Sequence, residues 1–325
     1  MKVAVLGAGA WGTALAIQAA RAGREAVLWA RDPDRAAVIA ATRENARYLP
    51  GVALPEAVAV TADAAAALDG AALALLVVPA QALAGVLGAL PVRPVPLLVC
   101  AKGVEAATLR LPLEVVAALR PSLAAGVLSG PNFAHEIARG LPAAAVVASA
   151  HAPLRDAGLA LLGSPVFRLY AGQDPVGAQV GGAAKNVVAI AAGAVIGAGL
   201  GENARAALVT RGLAELSRLA VALGGRADTA AGLAGLGDLV LTASGMGSRN
   251  TSLGVALGRG ERLADVLSAR AGVTEGVATA PAIVARAAMV GVELPICSAV
   301  ADLVAERITV PEAIARLLAR PQRAE

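Results

Sequence analysis

The sequence predicts an α/β protein: an N-terminal Rossmann-like, doubly wound parallel sheet with a C-terminal all-α domain. Three observations carry this prediction. Over the first half of the chain, short and near-continuous apolar runs alternate with helical patterns, as expected for a parallel sheet covered on both faces. A glycine-rich turn, Gly7-Ala-Gly-Ala-Trp-Gly12, follows the first apolar run directly. After about Gly177 the runs give way to long Ala- and Leu-rich helical stretches, broken at Gly199–Gly201, Gly224-Gly225 and Gly245–Asn250. A chain of 325 residues can bury two cores, and the domains are expected at 1–177 and 178–325.

The elements are expected in this order. Lys2–Leu6 forms a buried strand, and a helix runs from about Trp11 to Ala22. Ala26–Trp29 is a second strand, followed by a helix from Pro33 to about Ala46. A strand near Val58–Thr61, a helical stretch at Ala64–Leu68, a strand at Leu73–Val78, a helix from Gln81 to Leu90 and a strand at Pro96–Cys100 continue the alternation. Gly126–Ser129 and Ala144–Ser149 extend the strand series. Right-handed crossovers between such strands give the doubly wound arrangement. The last residues, Arg320–Glu325, are expected to fray.

Composition narrows the function classes. Charged residues make up only 16% of the chain and aromatics 2%, so the core must rest on Ala, Val and Leu. Val176–Leu200 is long and apolar enough to suggest a membrane span. It contains Gln179, Lys185 and Asn186, and the cost of such groups in lipid favours a buried helix and no membrane span. The N-terminus reads as a strand and turn, not as a secretory signal. Two cysteines, Cys100 and Cys297, in apolar surroundings fit free thiols in a reducing, cytoplasmic setting. With only two cysteines and two histidines a zinc site is not expected, and no metal is assigned. The net charge of +4 is scattered, with no basic block interleaved with aromatics, so nucleic acid is not an expected partner. A basic balance suits a small anionic substrate.

The glycine turn has the strand–turn–helix context of a dinucleotide fingerprint. Gly7 permits the tight turn, Gly9 lets backbone approach a pyrophosphate, and Gly12 allows close packing of helix on strand. The bland alternative is an ordinary glycine-rich connection. At the end of the second strand an NAD-preferring protein usually carries an acidic residue for the ribose hydroxyls. Here the segment is Trp29-Ala-Arg31-Asp-Pro-Asp-Arg35. Arg31 at that place favours a 2′-phosphate and hence NADPH over NADH, although Asp32 and Asp34 are close and a solvated first turn is the alternative.

Lysine is scarce. Only Lys2, Lys102 and Lys185 occur among 28 basic residues. Unlike arginine, a partly buried lysine can lose its proton, so Lys102 and Lys185 are the candidates for proton transfer. Asparagine is scarce too. Asn132, Asn186, Asn203 and Asn250 occupy unusual local contexts, the last in Gly247-Ser-Arg-Asn-Thr-Ser252. That segment reads as a phosphate cradle at a helix N-terminus with Arg249 supplied, or as an ordinary Ser/Asn cap. Gly232-Leu-Ala-Gly-Leu-Gly-Asp238 lacks a preceding strand. Its glycines suit close backbone packing, with Asp238 directed into a cleft or, alternatively, capping at the surface.

These motifs carry a resemblance. Gly7-x-Gly-x-Trp-Gly-Thr-Ala-Leu-Ala16, Ala101-Lys-Gly-Val-Glu105, Gly130-Pro-Asn-Phe-Ala134, Lys185-Asn-Val-Val-Ala-Ile190, Gly235-Leu-Gly-Asp-Leu239, Ser248-Arg-Asn250 and Val273-Thr-Glu-Gly276 occur in that order. Together they resemble bacterial NAD(P)-dependent glycerol-3-phosphate dehydrogenase across almost the whole chain. The resemblance implies that Trp11, Arg31, Lys102, Ala134, Arg249, Val273 and Glu275 touch the cofactor alongside Gly7, Gly9, Ala10 and Gly12 of the turn. It places Lys102, Gly130, Asn132, Lys185, Asp238, Ser248, Arg249 and Asn250 around a phosphorylated triose, with Lys185 transferring the proton. It further implies a cytoplasmic homodimer that supplies glycerol 3-phosphate for glycerophospholipid synthesis. Two positions depart from the family pattern: Asn132 stands where Ser or Thr is common, and Ala10 lacks the hydroxyl many members carry.

The expected chemistry assigns Lys102 to oxyanion stabilisation and Asp238 to orienting the ammonium groups. Ser248, Arg249 and Asn250 would anchor phosphate. Two rival readings remain at this level: another two-domain reductase of the ketopantoate or 6-phosphogluconate type, and a non-catalytic nucleotide sensor.

Overall fold

The computed structural model describes residues 1–270 and 272–321. The expectation for the C-terminal tail therefore falls largely, at 322–325, outside the described residues. The chain forms two compact units: Met1–Ala101 with Pro112–Ala178, and Lys102–Leu111 with Gln179–Glu325. The short excursion at Lys102–Leu111 thus belongs with the second unit.

The first unit is built on an eight-stranded sheet: β1 (Lys2–Leu6), β2 (Glu25–Trp29), β3 (Val58–Thr61), β4 (Ala71–Leu76), β5 (Leu97–Val99), β6 (Ala125–Ser129), β7 (Ala143–Ala148) and β8 (Phe167–Gly172). Their order is β3-β2-β1-β4-β5-β6-β7-β8. The order reverses between β1 and β4, the switch point outside which ligands bind in open α/β sheets. Strand β1 lies between β2 and β4, with Leu6 beside both Trp29 and Leu76. Helices α1 (Ala10–Arg21), α2 (Pro33–Thr42), α3 (Ala64–Leu68), α4 (Leu83–Ala89), α5 (Pro112–Leu119), α6 (Ala134–Arg139) and α7 (Ala152–Leu162) link the strands. Leu15, Leu28, Leu73, Leu75 and Leu98 fill the core, with Phe167 as a buried aromatic among them.

The structure differs from the sequence expectation in three places. Helix α2 stops at Thr42 instead of continuing to Ala46, because Arg43 turns left-handed (φ 54°) and Asn45 is drawn inward. The sheet is not wholly parallel, since β7 runs antiparallel to β6 and carries β8 with it. Between β6 and β7 lie residues 130–142, which include the six-residue α6. Strand β8 itself was not expected, because it lies at the sheet edge with half of its residues exposed and lacks a continuous apolar run.

The second unit is helical: α8 (Pro175–Gly197), α9 (Gly201–Ala222), α10 (Ala227–Ala231), α11 (Asp238–Ala243), α12 (Arg249–Gly258), α13 (Leu263–Ser268), α14 (Glu275–Ala288), α15 (Pro295–Val304) and α16 (Val310–Leu318). Helix α8 is long and apolar enough to cross a membrane, yet 89% of its most apolar window is buried inside the protein. It is the spine of this unit. The N-terminus of α15 is capped from α9, where the buried Glu215 carboxylate accepts the Ile296 and Cys297 amides at 2.6 and 3.2 Å. Burial raises the Glu215 pKa, and those backbone bonds oppose the shift. Cys100 and Cys297 are both free and buried.

Candidate active site

In the first unit the glycine turn lies between β1 and α1. Gly7 has φ 128°, a conformation open chiefly to glycine, and any Cβ there would collide with the Val77 carbonyl. A Cβ on Gly12 would overlap the Gly7 carbonyl, so helix and strand approach closely. Gly9 differs from both. Its φ of −78° is ordinary, and a Cβ there would enter open space. The protein's own packing does not require glycine at position 9, whereas a ligand lying against the backbone would. The turn therefore fits a dinucleotide.

Arg31 is exposed beyond the end of β2, and the Asp32 carboxylate caps α2 by accepting the Asp34 and Arg35 amides. Arg35 bonds back to the Ala8 carbonyl and lies over the Tyr48 ring, 4.6 Å from its centroid. Trp11 is in the first turn of α1 beside Ala10, and Ala134 opens α6. Gly130 (φ 145°) packs directly on Ala145. Asn132 donates to the Ala144 carbonyl at 3.3 Å, while its Oδ1 is enclosed without a protein partner.

In the second unit Lys102, Lys185 and Asp238 form one ion cluster. Lys102 Nζ lies 2.5 Å from Asp238 Oδ2, and Lys185 Nζ lies 2.8 Å from Oδ1. Asp238 is 1% exposed, which excludes the surface-cap alternative. The glycine cluster before it coils into a π-helical turn, Leu233–Gly237. Gly181 of α8 packs against Ala234 of that turn, at a distance no Cβ would allow. Burial lowers the Lys185 pKa to about 8; Asp238 opposes the shift, while Lys102 and Arg249 add to it. Burial alone would raise the Asp238 pKa, but the two ammonium groups outweigh it and hold the carboxyl below its ordinary value.

A chain of amides extends from this cluster. Asn186 Nδ2 donates to the Lys102 carbonyl at 3.0 Å, and its Oδ1 accepts Asn250 Nδ2 at 2.8 Å. Asn250 Oδ1 in turn accepts the Gly276 amide at 3.0 Å, next to Glu275 at the head of α14. Asn250 is thus largely committed to the framework. Ser248 caps α12 by accepting the Thr251 amide at 3.2 Å, the ordinary-cap alternative for that serine. Arg249 is exposed in the first turn, its guanidinium close to Gly272, and Val273 is about half exposed.

Glycines set the spacing of these groups. A Cβ on Gly193 or Gly197 of α8 would strike the α12 backbone, and one on Gly254 or Gly258 of α12 would strike α8. The two helices meet backbone to backbone. Lys185 and Asn186 on one are thereby held against Asn250 on the other.

Thr242 was not singled out from the sequence. Its hydroxyl lies 2.8 Å from Lys185 Nζ and 3.3 Å from Asp238 Oδ1. The available signal was its spacing four residues after Asp238, one helical turn on the same face. Asn45, the remaining asparagine, was also passed over. It is 1% exposed and donates to the Ala8 carbonyl.

A switch-point glycine turn in one unit and a buried lysine of lowered pKa in the other define a nicotinamide-dependent oxidoreductase of the two-unit, Rossmann-plus-helical class. Comparison with known proteins narrows the class. Residues 2–154 match the NAD-dependent glycerol-3-phosphate dehydrogenase N-terminus, and residues 174–315 match its C-terminus. The chain is 53% identical over 271 residues to the glycerol-3-phosphate dehydrogenase [NAD(P)+] of Rhodospirillum rubrum, covering 82% of this chain and 78% of that one. The crystal structure of glycerol-3-phosphate dehydrogenase from Coxiella burnetii superposes with a TM-score of 0.94 at 37% identity, covering 98% of this chain and 99% of the other. A ketopantoate reductase from Ralstonia eutropha, at 22% identity and a TM-score of 0.58 over 97% and 100% of the two chains, shares the fold alone. This chain belongs to the NAD-dependent glycerol-3-phosphate dehydrogenase family.

Proposed function

We propose that the protein interconverts dihydroxyacetone phosphate and sn-glycerol 3-phosphate, using NADPH or NADH. The observation that carries this reading is the buried Lys185 ammonium, paired with Asp238 and titrating near pH 8. Gly7, Gly9, Ala10, Trp11 and Gly12 would hold the dinucleotide, whose nicotinamide supplies or accepts the hydride when bound. Exposed Arg31 favours the 2′-phosphate of NADPH.

In reduction the Lys185 ammonium donates its proton to the substrate carbonyl oxygen and becomes a neutral amine. In oxidation the neutral amine takes the hydroxyl proton back. Asp238 keeps both lysines oriented, and Thr242 fixes the Lys185 ammonium from a second side. Lys102 lowers the energy of the developing alkoxide. Arg249 at the head of α12, with the Ser248 hydroxyl and the α12 amides, binds the phosphate and so fixes the position of the carbonyl.

The free buried thiols suit a reducing, cytoplasmic setting. We place the protein there as a homodimer feeding glycerophospholipid synthesis. The test is consumption of reduced nicotinamide on adding dihydroxyacetone phosphate, run with each cofactor and with ketopantoate as control. Turnover with dihydroxyacetone phosphate alone is expected. No turnover, or turnover with ketopantoate, overturns the reading.

A further inference from the structure

Two carbonyls of the glycine turn, those of Ala8 and Gly9, are engaged by side chains of the first unit. Asn45 Nδ2 lies 3.0 Å from the Ala8 oxygen and 2.7 Å from Thr13 Oγ1. The Thr13 hydroxyl lies 2.9 Å from the Gly9 oxygen, which also accepts the Thr13 amide at 3.0 Å. Arg35 gives the Ala8 oxygen a second donor. Asn45 is buried and Thr13 wholly so, at 1% and 0% exposure, so this clamp closes from within the protein.

A trans peptide is planar, and its C=O and N–H point in opposite directions. Fixing the Ala8 carbonyl therefore fixes the Gly9 N–H, and fixing the Gly9 carbonyl fixes the Ala10 N–H. Both amides are aimed away from Asn45 and Thr13. Neither carbonyl dipole is left free to swing towards an incoming anion, where it would repel charge. The open space beside Gly9 shows that its backbone is approachable.

We infer that Asn45 is a positioning residue for the cofactor pyrophosphate, acting through the Ala8 carbonyl and the Thr13 hydroxyl. The inference rests on the reading of the glycine turn as the dinucleotide site. Asn45 itself touches no cofactor. It acts on the part common to NADH and NADPH, so its loss should weaken both equally.

The test is fluorescence titration of the full-length protein with NADH and NADPH, together with steady-state kinetics on dihydroxyacetone phosphate. Asn45→Ala is expected to raise both dissociation constants about tenfold, the size of one lost buried hydrogen bond, with their ratio unchanged. Turnover at saturating cofactor and the KM for dihydroxyacetone phosphate should stay within about twofold of the parent, the split that separates binding from chemistry. Thr13→Val should shift both constants in the same direction by less, and Thr13→Ser should restore them. Unchanged dissociation constants in Asn45→Ala overturn the inference. So does a parallel fall of turnover, both affinities and melting temperature, which marks a merely structural role. If Asn45→Ala fails to fold, the threonine pair decides, and Thr13→Val with parental affinity overturns it. An unsubstituted protein that binds neither nucleotide overturns the cofactor reading beneath it instead.

Discussion

Lys185 and Asp238 lie 53 residues apart in the chain and meet at 2.8 Å, both buried, with Thr242 closing the third side. A lysine buried alone would shed its charge, and one fully matched by a carboxylate would hold its proton too tightly to release it. Here one carboxylate is shared between two ammonium groups. Burial lowers the Lys185 pKa to about 8, with Asp238 opposing the shift and Lys102 adding to it, close to the working range of a proton-transfer group.

Lys185→Ala should cut turnover by about 10³-fold in either direction, in line with the loss of a general acid–base. Affinity for NADPH should stay close to that of the parent. Turnover within tenfold of the parent, with both constants measured on the same preparation, would remove Lys185 from the chemistry.

The pH dependence has a defined sign. The Lys185 pKa falls from 10.5 to about 8 on folding, so the ammonium needed for reduction is lost as pH rises through about 8. The kcat/KM for dihydroxyacetone phosphate should decline there, while that for glycerol 3-phosphate should climb. Between about 8 and 10.5 the unfolded chain holds a proton that the folded chain has released. Stability attributable to this group therefore increases with pH across that window. Rate profiles in both directions and urea unfolding at several pH values check the two halves separately.

Asp238→Asn removes the counter-charge of two lysines at once. Leaving buried charge unpaired costs about 3 kcal/mol, which should appear in denaturant unfolding. Because Asp238 raises the Lys185 pKa, the variant should also shift the alkaline limb of the reductive profile below pH 8. An unshifted limb would mean that the carboxylate does not govern Lys185.

Arg249→Ala should raise the KM for dihydroxyacetone phosphate by about tenfold or more, the value of a lost charge-assisted contact. Unphosphorylated dihydroxyacetone, which has nothing for the arginine to hold, should be turned over as by the parent. Equal damage to both substrates would point to a structural defect.

Gly254→Ala places a methyl group against the α8 backbone. Overpacking of this kind costs about 1–3 kcal/mol. The helices must separate to admit it, so activity should fall further than stability does. A variant with parental stability and kinetics would show that the α8–α12 contact tolerates extra spacing.

Much of the architecture was legible in the sequence, and the parts that were not share a cause. Strands β1, β2 and β4 are buried on both faces, so their apolar runs stand out. β8 lies at an edge, with Arg168 and Tyr170 exposed, and carries no such run. β7 is antiparallel to β6, and the apolar run of a strand does not encode its direction. Within the candidate site, Lys102 and Lys185 were singled out by scarcity and Asp238 by its glycine-rich context, and the structure brings the three into contact. Asn45 is ordinary locally and only its distant partners set it apart, while Thr242 offered just its four-residue spacing from Asp238.

The excursion at Lys102–Leu111, grouped with the helical unit, bears on any attempt to dissect the protein. A fragment starting at residue 179 would carry Lys185 and Asp238 but leave behind the second ammonium and the backbone carbonyl that steadies Asn186. Swapping helical halves between relatives at one junction would therefore split the Lys102–Asp238–Lys185 charge triad between two parents. Exchanging the whole helical unit takes three crossovers, one on each side of that ten-residue insert and one between residues 178 and 179.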